Sequence, residues 1–90
     1  MSFQLVWDKK SKDFLKKINK DDAQRIIKKL NKIIENPRHY LDTLVDISAY
    51  KLRLGSYRII VDLDEKNKIL NVLFIGLRKN IYKYIKREVK

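Results

Sequence analysis

The sequence predicts a single α+β domain over residues 1–90: two N-terminal helices and a C-terminal helix packed on a small, mainly antiparallel, twisted sheet. Three observations carry that expectation. Apolar residues recur at three- and four-residue spacing through the first third, the period changes to two at Tyr50, and a helical stripe returns beyond Arg78. The expected element order is β-α-α-β-β-β-α, with the helices laid on one side of the sheet.

Each element follows from its own pattern. Residues 3–7 form a short strand candidate, and residues 9–18 place Phe14, Leu15 and Ile18 on one helical stripe. Asp21 or Asp22 is the expected cap of a second helix, in which Ala23, Ile26, Ile27, Leu30, Ile33 and Ile34 share one face. Between them stand Arg25, Lys28, Lys29 and Lys32, so the opposite face is cationic. Asn36-Pro37 ends this helix, because proline disfavours helical geometry in the residue before it. Residues 38–48 keep no period and read as a loop pinned by Tyr40, Leu41 and Leu44. Tyr50, Leu52 and Leu54 then alternate with Lys51 and Arg53, Gly55-Ser56 turns the chain, and residues 57–63 return as the second arm of a hairpin. A polar turn at residues 65–68 leads into residues 69–77, an apolar run expected of a strand buried in the sheet. The terminal helix, residues 79–90, aligns Ile81, Ile85 and Val89. No linker, repeat or low-complexity stretch interrupts the chain, so these elements are expected to share one core.

Composition narrows the function. Lys and Arg number 22 against 11 Asp and Glu, a formal net charge of +11. A field of that sign attracts polyanions, so nucleic acid or a ribosome is the default partner. Hydrophobic residues make up 44% of the chain, which excludes an intrinsically disordered protein despite 37% charge. Cysteine is absent, which excludes disulfides and thiolate catalysis, and the lone His39 does not supply the several N or S ligands of a zinc site. No metal or other cofactor is expected. Nor does the N-terminus carry a secretory pattern, and no run of apolar residues is long enough to span a bilayer, so a soluble cytoplasmic protein is expected, with no membrane contact.

The hairpin is where chemistry concentrates. A two-residue turn at Gly55-Ser56 sets Arg53 opposite Arg58, Leu52 opposite Ile59 and Lys51 opposite Ile60, so three cations share one surface. Like charges directly opposed are destabilising, and folding alone gives no reason for the pairing. An anionic ligand relieves it; the plainer reading is two side chains splayed into water. Continuing the pairing through the next turn brings Arg58 near Ile75 and Arg78 towards the same end of the sheet. One helical turn later, Tyr82 offers a ring to stack on a base or a hydroxyl for phosphate, although Tyr82 and Tyr84 read equally well as packing residues.

The stretch Lys51-Leu-Arg-Leu-Gly-Ser-Tyr-Arg-Ile-Ile-Val61, followed after one hairpin by Ile75-Gly-Leu-Arg-Lys-Asn-Ile-Tyr82, resembles the C-terminal half of RelE-type toxins in the RelE/ParE superfamily. The resemblance implies the RelE fold, a cognate RelB-like antitoxin in a heteromeric toxin–antitoxin complex, and ribosome-dependent cleavage of mRNA in the A site. It also implies a site in which a lysine and arginines surround the scissile phosphate and a tyrosine contacts the substrate, here Lys51, Arg53, Arg58, Arg78 and Tyr82. Two departures stand out: Ala49 occupies a position that sometimes carries a second lysine, and the stretch from Arg78 to Tyr82 is shorter than in the family pattern.

The implied reaction is metal-independent attack of a ribose 2′-hydroxyl on the adjacent phosphate. Arg58 and Arg78 suit the charge clamp on the pentavalent oxyanion, and Lys51, crowded by like charges, is the candidate base. Arg25, Lys28, Lys29, Lys32 and Lys79 are the expected RNA- or ribosome-binding residues. No His-plus-carboxylate pair of a free-standing ribonuclease is present, so weak activity on naked RNA is expected. Asp62 and Asp64, two apart on one strand, make a poor magnesium site and are expected to pair with nearby lysines. Two rival readings keep the basic surface and change its use: a ParE-like inhibitor of DNA gyrase, and a non-catalytic RNA- or DNA-binding module. The second lacks an RNP-like aromatic strand, a GXXG loop and a helix-turn-helix pattern.

Overall fold

The structure is a computed structural model and describes residues 2–44 and 47–88. In chain order the elements are β1 (Gln4–Trp7), α1 (Lys9–Lys17), α2 (Lys20–Ile33), α3 (Pro37–Tyr40), β2 (Asp42–Thr43), β3 (Tyr50–Leu54), β4 (Tyr57–Asp64), β5 (Ile69–Leu77) and α4 (Arg78–Glu88). The five strands form one sheet in the order β1-β5-β4-β3-β2, antiparallel except where β1 runs parallel to β5. The mixed α+β architecture is the expected one.

Successive residues of a strand point to opposite faces of its sheet, and β4 uses both. Ile59 and Val61 join Leu52, Leu70, Val72 and Ile75 in a core covered by Ile26, Leu30 and Ile33 of α2, with Phe14 and Leu15 of α1 beside them. Ile60, between them, faces the other way and packs with Ile81 and Ile85 of α4, Phe74 and Ala49. The terminal helix therefore lies across the sheet from α1 and α2. This corrects the expectation that all helices share one side: an apolar stripe shows that α4 must be covered, but not by which face. Ile27, expected inward, is exposed, which narrows the buried stripe of α2.

Local chemistry corrects several boundaries. The cap of α2 is Asn19, whose backbone is extended and whose side chain accepts from the Asp22 N–H at 2.8 Å; Asp21 and Asp22 fall in the first turn instead. Pro37 does not simply end α2 but opens α3, at a position where a missing N–H costs nothing. The loop expected over residues 38–48 thus contains a single helical turn and the two-residue β2, both too short to leave a period in the sequence; Val45 and Asp46 lie outside the described residues. Likewise Val89, placed on the α4 stripe, lies outside them.

The β3–β4 register is the expected one: Leu54 faces Tyr57, Arg53 faces Arg58, Leu52 faces Ile59 and Lys51 faces Ile60. Gly55 adopts φ +58°, a conformation that favours glycine at the first central position of such a turn. Between β4 and β5 the register shifts by one, because Ile60 faces Phe74 while Val61 faces Val72, leaving Leu73 as an extra residue. Arg58 accordingly faces Gly76, next to the Ile75 near which it was expected.

The expected lysine pairing of Asp64 is also replaced. Its carboxylate accepts from the backbone N–H of Asn67 at 3.0 Å and from the side-chain amide at 2.9 Å, closing the β4–β5 turn. Those bonds hold the Asp64 carboxyl below its ordinary value. Because the folded-state value is depressed, the stabilisation is present above the unfolded carboxylate value of about 3.9 and is lost as pH falls through the folded one. Asp64→Ala should therefore melt below the wild type at pH 7, with the gap narrowing on acidification to about pH 3. A gap that stays constant in thermal melts across that range would contradict this assignment.

Candidate functional site

Arg58 is the organising residue. It sits on the α4 face of β4, only 7% exposed, and its Nη1 donates to the carbonyls of Gly55 at 2.7 Å and Tyr57 at 2.8 Å. The tight hairpin supplies those carbonyls, so the turn orients the guanidinium. The turn itself is tied down: the Tyr57 hydroxyl donates to Asp22 of α2 at 2.7 Å, and the Arg78 N–H donates to the Ser56 carbonyl at 3.0 Å. The bond to Asp22 favours the neutral phenol and raises the Tyr57 ionisation above its ordinary value.

Across the strands from Arg58 stand Arg53 on one side and Gly76 on the other. A Cβ at Gly76 would come within 2.5 Å of the Phe74 ring, so the glycine lets that ring lie flat along β5 beneath Tyr84, with ring centroids 4.8 Å apart. Lys51, two residues before Arg53, points to the same face. α4 then walls the space, and a cleft of about 400 Å³ opens, lined by Lys51, Arg53, Arg58, Arg78 and Tyr82. Thr43, Leu44, Ile81 and Ile85 complete it, and no carboxylate lines it among the described residues.

The five residues carried over from the family pattern thus share one cavity, and the position of α4 settles the side of the sheet on which Arg78 and Tyr82 lie. Tyr82 is 66% exposed at the rim, whereas Tyr84 packs on Phe74, so the two tyrosines separate into one available ring and one structural ring. Sequence reasoning passed over Gly76, although an isolated glycine in a strand is a signal of close approach.

The second set of basic residues is not brought to the cleft. Arg25, Lys28, Lys29 and Lys32 line an open groove of about 560 Å³ beside Leu54, on the α2 side of the sheet. There Arg25 pairs with Asp22 at 3.5 Å, and the Lys29 and Lys32 ammonium groups lie 4.9 and 6.0 Å from the Tyr40 ring centroid. Lys79 is separate again, next to Tyr82, Arg78 and Leu77 at the edge of the cleft. Asp62 and Asp64 belong to no group of three or more potential metal ligands, none of which occurs among the described residues. No helix among them is long and apolar enough to cross a membrane.

Arg53 and Arg58 face each other without an intervening acid, a placement that costs up to roughly 1 kcal/mol and less where Arg53 reaches water. Arg53→Ala should therefore leave the thermal midpoint unchanged or raise it by a few degrees. A clear drop in differential scanning calorimetry would show that Arg53 supports the fold instead.

The fold, a small mixed sheet with a helical pair on one face and a terminal helix on the other, is similar to that of solved RelE toxins. A toxin–antitoxin complex of Mycobacterium tuberculosis, RelBE2, matches with TM-score 0.80 at 14% identity, covering 87% of this chain and all of that one. A free double mutant of the E. coli toxin RelE matches with TM-score 0.80 at 21% identity over the whole of both chains. The archaeal RelE–RelB complex of Pyrococcus horikoshii matches with TM-score 0.71 at 21% identity, over 87% of this chain and 97% of that one. At these identities the likeness gives the fold. No curated protein matches the chain. The family model described as the ParE toxin of the type II toxin-antitoxin system parDE matches residues 5–82, and the chain belongs to that family, within the RelE/ParE superfamily of type II toxins.

Proposed function

We propose that this toxin is a ribosome-dependent endoribonuclease that cuts mRNA in the A site and so arrests translation in the cytoplasm. The observation that carries the reading is the gathering of Lys51, Arg53, Arg58, Arg78 and the exposed Tyr82 in one cleft free of carboxylates among the described residues. Four cations around a cavity of this size suit a phosphate whose charge grows during reaction.

In the proposed step a ribose 2′-hydroxyl attacks the adjacent phosphorus and loses its proton to Lys51, which acts as the neutral amine. The bond from phosphorus to the 5′-oxygen breaks, leaving a 2′,3′-cyclic phosphate, and the departing oxygen takes a proton from a cleft cation or water. Arg58 and Arg78 stabilise the oxyanion, Arg53 adds to the field, and Tyr82 stacks on a base. The ribosome supplies the in-line geometry that this cleft, with no His-plus-carboxylate pair, does not impose on a free strand. Arg25, Lys28, Lys29, Lys32 and Lys79 hold ribosomal or messenger RNA. A cognate RelB-like antitoxin neutralises the toxin in a heteromeric complex, a reading supported by the toxin–antitoxin complexes among the structural matches.

The family model favours a second target, DNA gyrase, since the family it describes carries the ParE name. Mapping 5′ ends of mRNA on purified translating ribosomes, beside a gyrase supercoiling assay, separates the two. A-site cuts with supercoiling untouched are expected; intact mRNA with inhibited supercoiling would replace the nuclease reading by the gyrase one.

A further inference from the structure

The two arginines assigned to the phosphate clamp are held by one short stretch of backbone. Gly55, Ser56 and Tyr57 present successive carbonyls, and each accepts from a cleft arginine: Gly55 and Tyr57 from the Arg58 guanidinium at 2.7 and 2.8 Å, Ser56 from the Arg78 backbone N–H at 3.0 Å. The turn therefore sets both where the Arg58 side chain points and where α4 begins. Gly55 and Ser56 are exposed, and a hairpin tip without an anchor of its own belongs to the mobile parts of a fold.

The anchor lies on the other face of the sheet. Successive residues of β4 point opposite ways, so Tyr57 reaches towards α1 and α2 while Arg58 enters the cleft. The Tyr57 ring meets Phe14 of α1 edge-on, with centroids 6.1 Å apart, and its hydroxyl donates to Asp22 Oδ2 of α2 at 2.7 Å. A hydroxyl bonded to a carboxylate makes a stronger bond than a neutral pair. Asp22 is itself held: Asn19 Nδ2 donates to the same oxygen at 3.1 Å, and Arg25 Nη1 to Oδ1 at 3.5 Å. An aspartate in the first turn of α2 also suits the helix dipole, which accounts for Asp22 but not for its bond to a strand residue.

We propose that Asp22 and Tyr57 are positioning residues for the cleft: their bond, made on the opposite face of the sheet, fixes the turn at residues 55–57 and with it the spacing of Arg58 and Arg78. This role rests on the reading of the cleft as a phosphate site. Neither side chain lines the cleft, so losing the bond misplaces the clamp without removing a charge from it.

Single-turnover cleavage on programmed ribosomes tests this in Tyr57→Phe, which keeps the ring against Phe14, and in Asp22→Ala. Each is expected to cut about tenfold more slowly at saturating toxin, with the half-saturating concentration not raised, and the double variant no more slowly than either single one. Asp22→Asn keeps an acceptor for the hydroxyl and should recover most of the rate. Asp64→Ala, which loosens the far end of β4, is the stability control and should cut at the wild-type rate. In nitrogen-15 spectra of the full chain, the Arg58 Nε–H signal should shift or broaden in Tyr57→Phe and Asp22→Ala and stay in place in Asp64→Ala. Either a wild-type rate or an unmoved Arg58 signal in Tyr57→Phe would overturn the proposal, as would equal slowing in Asp64→Ala. Wild-type protein that cuts nothing would sink the nuclease reading instead, and the Arg58 signal alone would then decide the positioning.

Discussion

Arg58→Ala is expected to lower the rate of mRNA cleavage on the ribosome by about 10²–10³-fold, the cost of removing one preorganised donor from a developing oxyanion. The expectation is large because this guanidinium is buried and already aimed: two of its bonds go to the turn carbonyls of Gly55 and Tyr57, and the side chain lines the cleft. Little reorganisation remains at the moment of reaction. Arg58→Lys keeps the charge but loses the planar fork that reaches two carbonyls and a phosphate together, and should recover only part of the rate. Single-turnover cleavage on programmed ribosomes checks both variants. A thermal melt beside it separates lost chemistry from lost fold, since removing a cation opposite Arg53 offsets part of the two lost hydrogen bonds. Full activity in Arg58→Ala would remove the cleft from the mechanism.

The largest effect on stability is expected from Leu30→Ala. Leu30 is fully buried where α2 meets the sheet, in the cluster that holds Ile26, Ile33, Ile59 and Val61. Truncation removes its transfer free energy and leaves a cavity that a β-sheet on one side and a helix on the other close only partly, a loss of about 2–5 kcal/mol. For a chain of this length that is a fall of roughly 10–30 °C in the thermal midpoint. Ile27→Ala, three residues earlier on the same helix and exposed, should cost well under about 1 kcal/mol. Similar losses for the two variants in urea titrations would show that α2 is not seated as described.

The contrast between α4 and the β-hairpin shows what the residues alone can reveal. The Arg53–Arg58 pairing was legible because a two-residue turn at Gly55-Ser56 leaves one register open to the flanking alternation. The side of the sheet covered by α4 was not legible: Ile81 and Ile85 form a stripe that either face would bury. That one uncertainty governed the site, since Lys51, Arg53 and Arg58 are set by the hairpin but Arg78 and Tyr82 reach them only if α4 lies over Ile60. The bulge at Leu73 was equally hidden, because an apolar strand carries no mark of an extra residue, and it set Gly76, next to the expected Ile75, opposite Arg58. Asp21 and Asp22 were read as caps by residue type, while Asn19, two positions earlier, has the extended backbone a cap requires.

The central claim, that the cationic cleft promotes attack by the substrate's own 2′-hydroxyl, is tested most directly by removing one oxygen atom from the messenger. Two mRNAs, identical except for a 2′-deoxy nucleotide at the mapped cut position, are placed in the ribosomal A site and exposed to the toxin in a single turnover. The account predicts cleavage of the all-ribose strand to a 2′,3′-cyclic phosphate and none of the deoxy strand. Equal cleavage of both, or of neither, would contradict it.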